Sequence, residues 1–362
     1  MLTPLAAKLA GSIRRDGPMP VSAFMAAALL DPSYGYYATR DPFGAAGDFI
    51  TAPEISQTFG ELVGLWAAVA WQAMGGPARV VLAELGPGRG TLMADLLRAA
   101  ATLPPFRAAL DVWLVEASPV LRRRQEAALA GQTAHWADSF SDLPPGPLLL
   151  VANEFFDALP IEQYVRASDG WRRRMVGLDA GGGLAFVVGP LADPGPAPAA
   201  PADAIFETCP AGRRLAADLG RRLATQGGAA LLIDYGHGRS AAGDTLQALR
   251  RHRPAPVLDT VGEADLTAHV DFEALAAAAI PARAWGPVPQ GHFLRSLGIE
   301  TRAARLAAGK DPAQAADILG RMHRLIDAAE MGTLFKVMAL ADPALPPLPG
   351  LDAPPGLPQE PR

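Results

Sequence analysis

From Arg79 onward, short apolar runs alternate with longer stretches in which apolar residues recur every three or four positions. RVVLAEL (79–85), DVWLVEA (111–117), LLLVANE (148–154) and AALLIDYG (229–236) have the length and composition of buried strands. The stretches Thr91–Ala101 and Pro119–Leu129 carry the helical period between them, and a weaker run, TAHWADSF (133–140), stands between the second and third strands. Alternation of this kind predicts an α/β fold, a doubly wound parallel sheet with crossover helices. PARAWGP and TLFKVMAL supply two further strands to close it.

The flanks follow other periods. Residues 1–75 read as an N-terminal helical cap: an amphipathic stretch near 2–15, another over Val21–Leu30, the aromatic turn DPSYGYY, the loop GDFITAPEIS and a helix from Ser56 to Met74. A core domain is expected over 76–340. It is interrupted at about 160–205, where IEQYVRAS, GWRRRMVGLD and LAFVVG alternate with period two around DG and GGG turns, the signature of an antiparallel β insertion. The Pro/Ala-rich stretch after it is expected to be a mobile loop, and the Pro-rich tail 341–362 to be disordered.

Composition narrows the functional classes. The net charge is −5 and only Lys8, Lys310 and Lys336 are lysines, so no basic face for nucleic acid is expected. Arginine runs such as Arg122–Arg124 read as solvated helix faces. Cys209 is the single cysteine and the six histidines form no HxxxH pair, which leaves no disulfide framework and no expected metal site. No apolar run reaches the ~20 residues that span a bilayer, and the N-terminus lacks the apolar core of a signal peptide. A soluble cytoplasmic protein is the expectation.

ELGPGRGTL (84–92) follows a strand and opens a helix, so its glycines let the backbone turn tightly and approach a ligand. Gly86, Gly88 and Gly90 are evenly spaced, unlike a dinucleotide fingerprint, and Glu84 precedes them. A carboxylate there would repel a pyrophosphate, which disfavours a nicotinamide-dependent dehydrogenase, and would welcome a cationic cofactor. The loop is similar to the S-adenosylmethionine site of class I methyltransferases. Glu116, ending the next strand, is the candidate for both ribose hydroxyls, with a solvent-exposed strand end as the alternative. Asp138 is placed either to accept from the adenine amine or to cap a short helical turn.

NEFFDALP (153–160) ends the third of the four strong runs with an amide, two acids and two phenylalanines. Methyltransferases acting on amines and amides often carry Asn/Asp-Pro-Pro-aromatic at such a strand end. Here Asn153 and Phe156 keep the outer positions, and Glu154 replaces a proline. A carboxylate beside the methyl suits a guanidinium, which it binds through charge-assisted hydrogen bonds. Glu154 and Asp157 are the acceptor-side candidates, with a helix cap as the alternative for Asp157.

Taken in order, GYY (35–37), GDFITAPEISQTFGELVG (47–64), ELGPGRGTL, NEFFDALP, DYG (234–236), DLTAHVDF (265–272) and GHFLRSLGI (291–299) resemble the MidA-like class I methyltransferases. Mitochondrial members of that family assist assembly of respiratory complex I. The resemblance implies S-adenosyl-L-methionine as cofactor and a protein arginine as acceptor, in a complex I peripheral-arm subunit or its bacterial homologue. It further implies that Asp48, Thr51, Glu54 and Ser56 line or close the cofactor site, although Ser56 as a helix cap after a Pro53–Glu54 turn fits equally well. Asp234, Tyr235 and His269 fall in family motifs, and His269 becomes a catalytic or substrate-contact candidate. The competing reading is an assembly chaperone that binds S-adenosylmethionine and holds a client protein.

Overall fold

A computed structural model of the chain describes residues 2–39 and 51–352, the side chain of Thr39 excepted. It divides into two compact units: Met1–Phe49, Phe156–Arg214 and His237–Ala274 form one, and Ile50–Phe155, Leu215–Gly236 and Leu275–Arg362 the other.

The second unit is built on the doubly wound sheet. Its parallel strands are β2 (Val80–Leu85), β3 (Leu110–Val115), β4 (His135–Ala137), β5 (Leu148–Asn153) and β10 (Gly228–His237). Two antiparallel strands, β15 (Arg283–Pro289) and β16 (Phe335–Ala341), extend it to give the order β15-β16-β10-β5-β2-β3-β4. β2 and β5 are buried at every position, which is why they read as apolar runs with no polar alternation up to Glu84 and Asn153. The chain winds from β2 towards β4 on one side and through β5 on the other. The β2–β5 boundary is therefore the switch point, where ligands meet the strand ends in open α/β sheets.

The helices of this unit are α4 (Ala52–Ile55), α5 (Gln57–Ala73), α6 (Thr91–Ala100), α7 (Pro104–Ala109) and α8 (Pro119–Ala128), then α11 (Gln290–Ser296), α12 (Ile299–Ala307), α13 (Pro312–Ile326) and α14 (Met331–Leu334). Phe59, Val63 and Trp66 of α5, with Leu92 and Leu96 of α6, share one core with Leu82, Leu149 and Ile233 of the sheet. α5 and α6 approach closely because α5 presents glycines. A Cβ on Gly60 would lie 2.5 Å from Asp95 Cβ, and one on Gly64 would lie 2.8 Å from the Leu96 carbonyl oxygen.

The other unit contains α1 (Pro4–Asp16), β1 (Met19–Pro20), α2 (Val21–Leu30) and α3 (Tyr36–Thr39), followed by the inserted strands β6 (Glu162–Ala167), β7 (Gly170–Leu178), β8 (Leu184–Leu191) and β9 (Ile205–Thr208). These strands pair antiparallel in the order β1-β7-β6-β9, with β8 also on β7. A smaller sheet, β12-β11-β13, is formed by β11 (Gln247–Arg250), β12 (Arg253–Ala255) and β13 (Asp265–Thr267), and β14 (Val270–Asp271) follows. Phe24, Met25, Leu29, Tyr36, Val176 and Leu266 are among its core residues. The division between units falls within α9 (Pro210–Gln226) and α10 (Phe272–Ala278).

Three expectations need adjustment. Residue 75 is no boundary, because α4 and α5 belong with the sheet. The stretch 189–203 begins as the last residues of edge strand β8. The tail is not disordered from 341: Ala341 ends β16, and Leu345, Leu348 and Leu351 are buried in the sheet unit's core. Prolines spaced by single leucines look like a disordered tail in composition, but the leucines have somewhere to go. Among the described residues no helix is long and apolar enough to cross a membrane, and no His/Cys/Asp/Glu group could hold a metal ion.

The glycine contact between α5 and α6 is testable. Gly64→Leu forces a side chain against backbone that cannot yield, and should cost about 1–3 kcal/mol. Urea unfolding followed by circular dichroism should show a lower midpoint with an unchanged slope.

Candidate active site

Glu84 is the fifth residue of β2, in register with Leu114 of β3 and Val151 of β5, and it is 4% exposed. One interaction favours its charge, the backbone N–H of Met93, and Oε2 is buried without a hydrogen-bond partner. Burial pushes its carboxyl up from the ordinary 4.5 to about 8. An acid in this state lacks a positive partner, so a cationic group fits it. The glycine loop turns directly after it: Gly86, Gly88 and Gly90 all have positive φ, and the Gly90 N–H donates to the Pro87 carbonyl at 2.7 Å.

Glu116 lies one residue beyond β3. Its Oε1 accepts the Ser118 N–H at 2.7 Å and its Oε2 accepts Gln125 Nε2 at 3.2 Å. Burial raises its pKa, opposed by those two bonds in turn. Arg122 donates from Nε and Nη2 to the Glu116 carbonyl (2.7 and 2.5 Å), and from Nη2 to the Ala137 carbonyl (3.1 Å) and Asp138 Oδ1 (2.6 Å). The expectation that Arg122 decorates a solvated helix face is therefore wrong. Its side chain is 28% exposed and staples the end of β3 to the end of β4. Asp138 itself is 82% exposed, and the turn at Phe140–Asp142 is capped by Ser139, so the capping alternative for Asp138 falls away.

At the end of β5, Asn153 is buried and donates from Nδ2 to Glu154 Oε1 at 3.1 Å, while its own Oδ1 has no hydrogen-bond partner. Glu154 adopts φ +51°, a left-handed conformation that is costly for a side chain of this size. Its N–H donates to the Ile233 carbonyl at 2.9 Å, and its Oε1 also accepts the Ala52 N–H, the first of α4, at 2.9 Å. Phe155 then packs against the glycine loop: a Cβ on Gly86 would sit 2.7 Å from its ring, and its N–H donates to Asp234 Oδ2 at 3.1 Å.

α4 is held from a second side, where Glu54 Oε1 accepts the hydroxyl of Thr91, the first residue of α6, at 2.5 Å. Ser56 caps α5 by accepting the Thr58 N–H, as the capping reading anticipates, whereas Thr51 makes no such side-chain bond. Asp48 lies outside the described residues.

One unit thus carries Thr51, Glu54, Glu84, the three glycines, Glu116, Asp138, Asn153 and Glu154. Asp157 and His269 belong to the other unit. There the Asp157 carbonyl accepts the Ala268 N–H at 2.9 Å, and the His269 N–H donates to Thr245 Oγ1 at 2.8 Å. No helix begins at Asp157, so it is not a helix cap. Beside it are two groups that sequence reasoning passed over: the Tyr37 hydroxyl donates to Asp265 Oδ1 at 2.9 Å, and burial, then the charges of Asp265 and Asp157, raise the Tyr37 pKa. Both residues lie in segments that carry the family resemblance, which was the available signal. Gln125 was also missed, because nothing in PVLRRRQEAA marks one polar residue of an amphipathic helix as buried.

Comparison with known proteins bears on this arrangement. A family model described as "Putative S-adenosyl-L-methionine-dependent methyltransferase" matches residues 62–288. The zebrafish (Danio rerio) protein named "Protein arginine methyltransferase NDUFAF7, mitochondrial" is 36% identical over 93% of this chain and 86% of its own length. The mouse (Mus musculus) protein of the same name is 37% identical over 94% and 84%. A crystal structure of a Burkholderia thailandensis protein bound to S-adenosyl-homocysteine superposes with TM-score 0.81 at 32% identity, covering 96% of this chain and 92% of that one.

The raised Glu84 pKa sets two expected outcomes. Without ligand, the buried carboxyl costs stability that grows as pH rises from 4.5, where the unfolded group ionises, to about 8, where the folded one does. Glu84→Gln should therefore raise the thermal midpoint at pH 8 and gain little near pH 4.5. Calorimetry should show S-adenosylmethionine binding weakening by up to about tenfold per pH unit below pH 8, with Glu84→Gln weaker and flat over the same range.

Proposed function

Because the chain belongs to the family of class I S-adenosylmethionine-dependent methyltransferases that includes the mitochondrial NDUFAF7 proteins, we propose that it methylates an arginine guanidinium of a protein substrate, in a complex I peripheral-arm subunit or its bacterial homologue. Its methyl donor is S-adenosylmethionine, which supplies an electrophilic methyl on a sulfonium. Transfer forms one N–C bond, breaks one S–C bond and releases one proton from the guanidinium. The observation that carries the reading is the set of acids at the ends of three adjacent parallel strands, Glu84 on β2, Glu116 after β3 and Glu154 after β5.

In this reading Glu84 and the glycine loop hold the cationic amino-acid portion of the donor. Glu116 takes the ribose hydroxyls and Asp138 the adenine amine, with Thr51 and Glu54 on the covering α4 segment. Glu154, with Asn153, receives the guanidinium through charge-assisted hydrogen bonds, concentrates its lone pair on one nitrogen and takes up the released proton. Asp157 and His269 serve the protein substrate. We place the activity in the bacterial cytoplasm, a reading supported by the Burkholderia relative, whereas the curated relatives are named as mitochondrial.

Glu154→Gln keeps an oxygen for the Ala52 N–H and removes the charge. It should lower kcat for methyl transfer by about a hundredfold or more while S-adenosylhomocysteine affinity stays within about twofold. Retained transfer would remove Glu154 from the chemistry. Mass spectrometry of peripheral-arm subunits from cells lacking the protein should show one arginine losing its methylation. If Glu154→Gln cells assemble complex I normally without that methylation, the protein acts by holding its client.

A further inference from the structure

The carboxamide of Gln125, fully buried on α8, meets three parts of the proposed donor site at once. Nε2 donates to the Gly88 carbonyl at 2.9 Å and to Glu116 Oε2 at 3.2 Å, and Oε1 accepts the indole N–H of Trp136 on β4 at 2.8 Å. The sense of the amide is determined by its neighbours: an indole nitrogen only donates, while a carbonyl and a carboxylate only accept. Reversing it would oppose N–H to N–H on one side and oxygen to two oxygens on the other. Gly90 is fitted to the same helix, since a Cβ there would lie 3.3 Å from Gln125 Cα.

We propose that Gln125 is a positioning residue for the methyl donor, fixing the Glu116 carboxylate and the glycine loop in one geometry. The inference rests on the reading of Glu116 as the ribose acceptor. Glu116 is oriented by one donor on each oxygen, the Ser118 N–H on Oε1 and Gln125 on Oε2. Each carboxylate oxygen has a second lone pair, so the group can still accept a diol when so held. Taking away Nε2 frees the carboxylate to rotate about the Ser118 bond. It also releases the Gly88 carbonyl, so the ribose end and the amino-acid end of the ligand lose their common reference.

The test is a double-mutant cycle read by calorimetry with S-adenosylhomocysteine and by steady-state kinetics. Gln125→Met, similar in shape and without donors, should weaken S-adenosylhomocysteine about tenfold or more. It should raise KM for S-adenosylmethionine by a similar factor, and leave kcat and the KM for protein substrate nearly unchanged. Glu116→Gln alone should also weaken the ligand, and Gln125→Met on that background should cost clearly less than it does alone, because the part of its effect that runs through the Glu116 carboxylate is already lost and only the Gly88 bond remains to be removed. Leu129→Ala, a cavity variant at the end of the same helix, controls for stability and should leave ligand affinity in place at temperatures where it is folded. If Gln125→Met fails to fold, Trp136→Phe removes the donor that sets the amide's sense, together with one ring of the indole, and should give the same coupling at smaller size. Full affinity in Glu116→Gln would overturn the ribose assignment. Weakened Glu116→Gln with unaffected or fully additive position-125 or position-136 variants would overturn the positioning role alone.

Discussion

Burying a carboxylate on a central strand with no positive partner costs folding free energy, because the charged form loses its water and gains one backbone N–H in exchange. The neighbourhood of Glu84 answers to that constraint. Helices α5 and α6 pack through Gly60 and Gly64, which leaves the hydrophobic layer beside β2 tight. In the loop that follows, Gly86, Gly88 and Gly90 all adopt positive φ, so the backbone turns tightly beside the acid with little side-chain bulk. A site of this kind is less stable empty than a neutral one would be, and the unspent interaction is available to a cation.

Around that acid several polar groups are held by neighbouring side chains. Arg122 and Gln125, three residues apart on one face of α8, between them bond the Glu116 carbonyl and carboxylate, the Gly88 and Ala137 carbonyls, Asp138 and Trp136. Glu154 holds the first residue of α4, and Glu54, on that helix, ties it to the start of α6. Groups fixed in this way before a ligand arrives lower the ordering cost of binding one. The long side chains do structural work that the shortness of the strand-end loops leaves undone.

The parts of this arrangement that were legible in the sequence are those carried by local signals. β2, β5 and β10 stand out because their buried stretches are runs of apolar residues that give way to a polar one only towards the carboxyl end, and even β4, only three residues long, left a trace in HWA. The glycine loop and its acid were readable because positive φ and close approach demand particular residues at fixed spacing. Arg122 and Gln125 were not readable, since their partners lie up to 37 residues away in sequence and an amphipathic helix offers no mark of which polar residue turns inward. The Glu154 to Ala52 bond, across 102 residues, was invisible for the same reason. The tail misled through composition, where a few leucines among prolines suffice to dock a segment that looks disordered.

The glutamate at position 154 meets a backbone condition that the proline of the amide-methylating pattern cannot. Proline holds φ near −65° and has no N–H, yet position 154 sits at φ +51° and donates to the Ile233 carbonyl. A proline here would lose that bond and could not adopt the turn. Glycine would satisfy both conditions without strain, so conformation alone does not explain the residue either. A side chain at a position where glycine would be easier points to work done by that side chain. Its carboxylate gathers the Ala52 and Asn153 donors and brings a negative charge to the end of β5. A carboxylate at that position can pair with a cation, which the proline of the other pattern could not do.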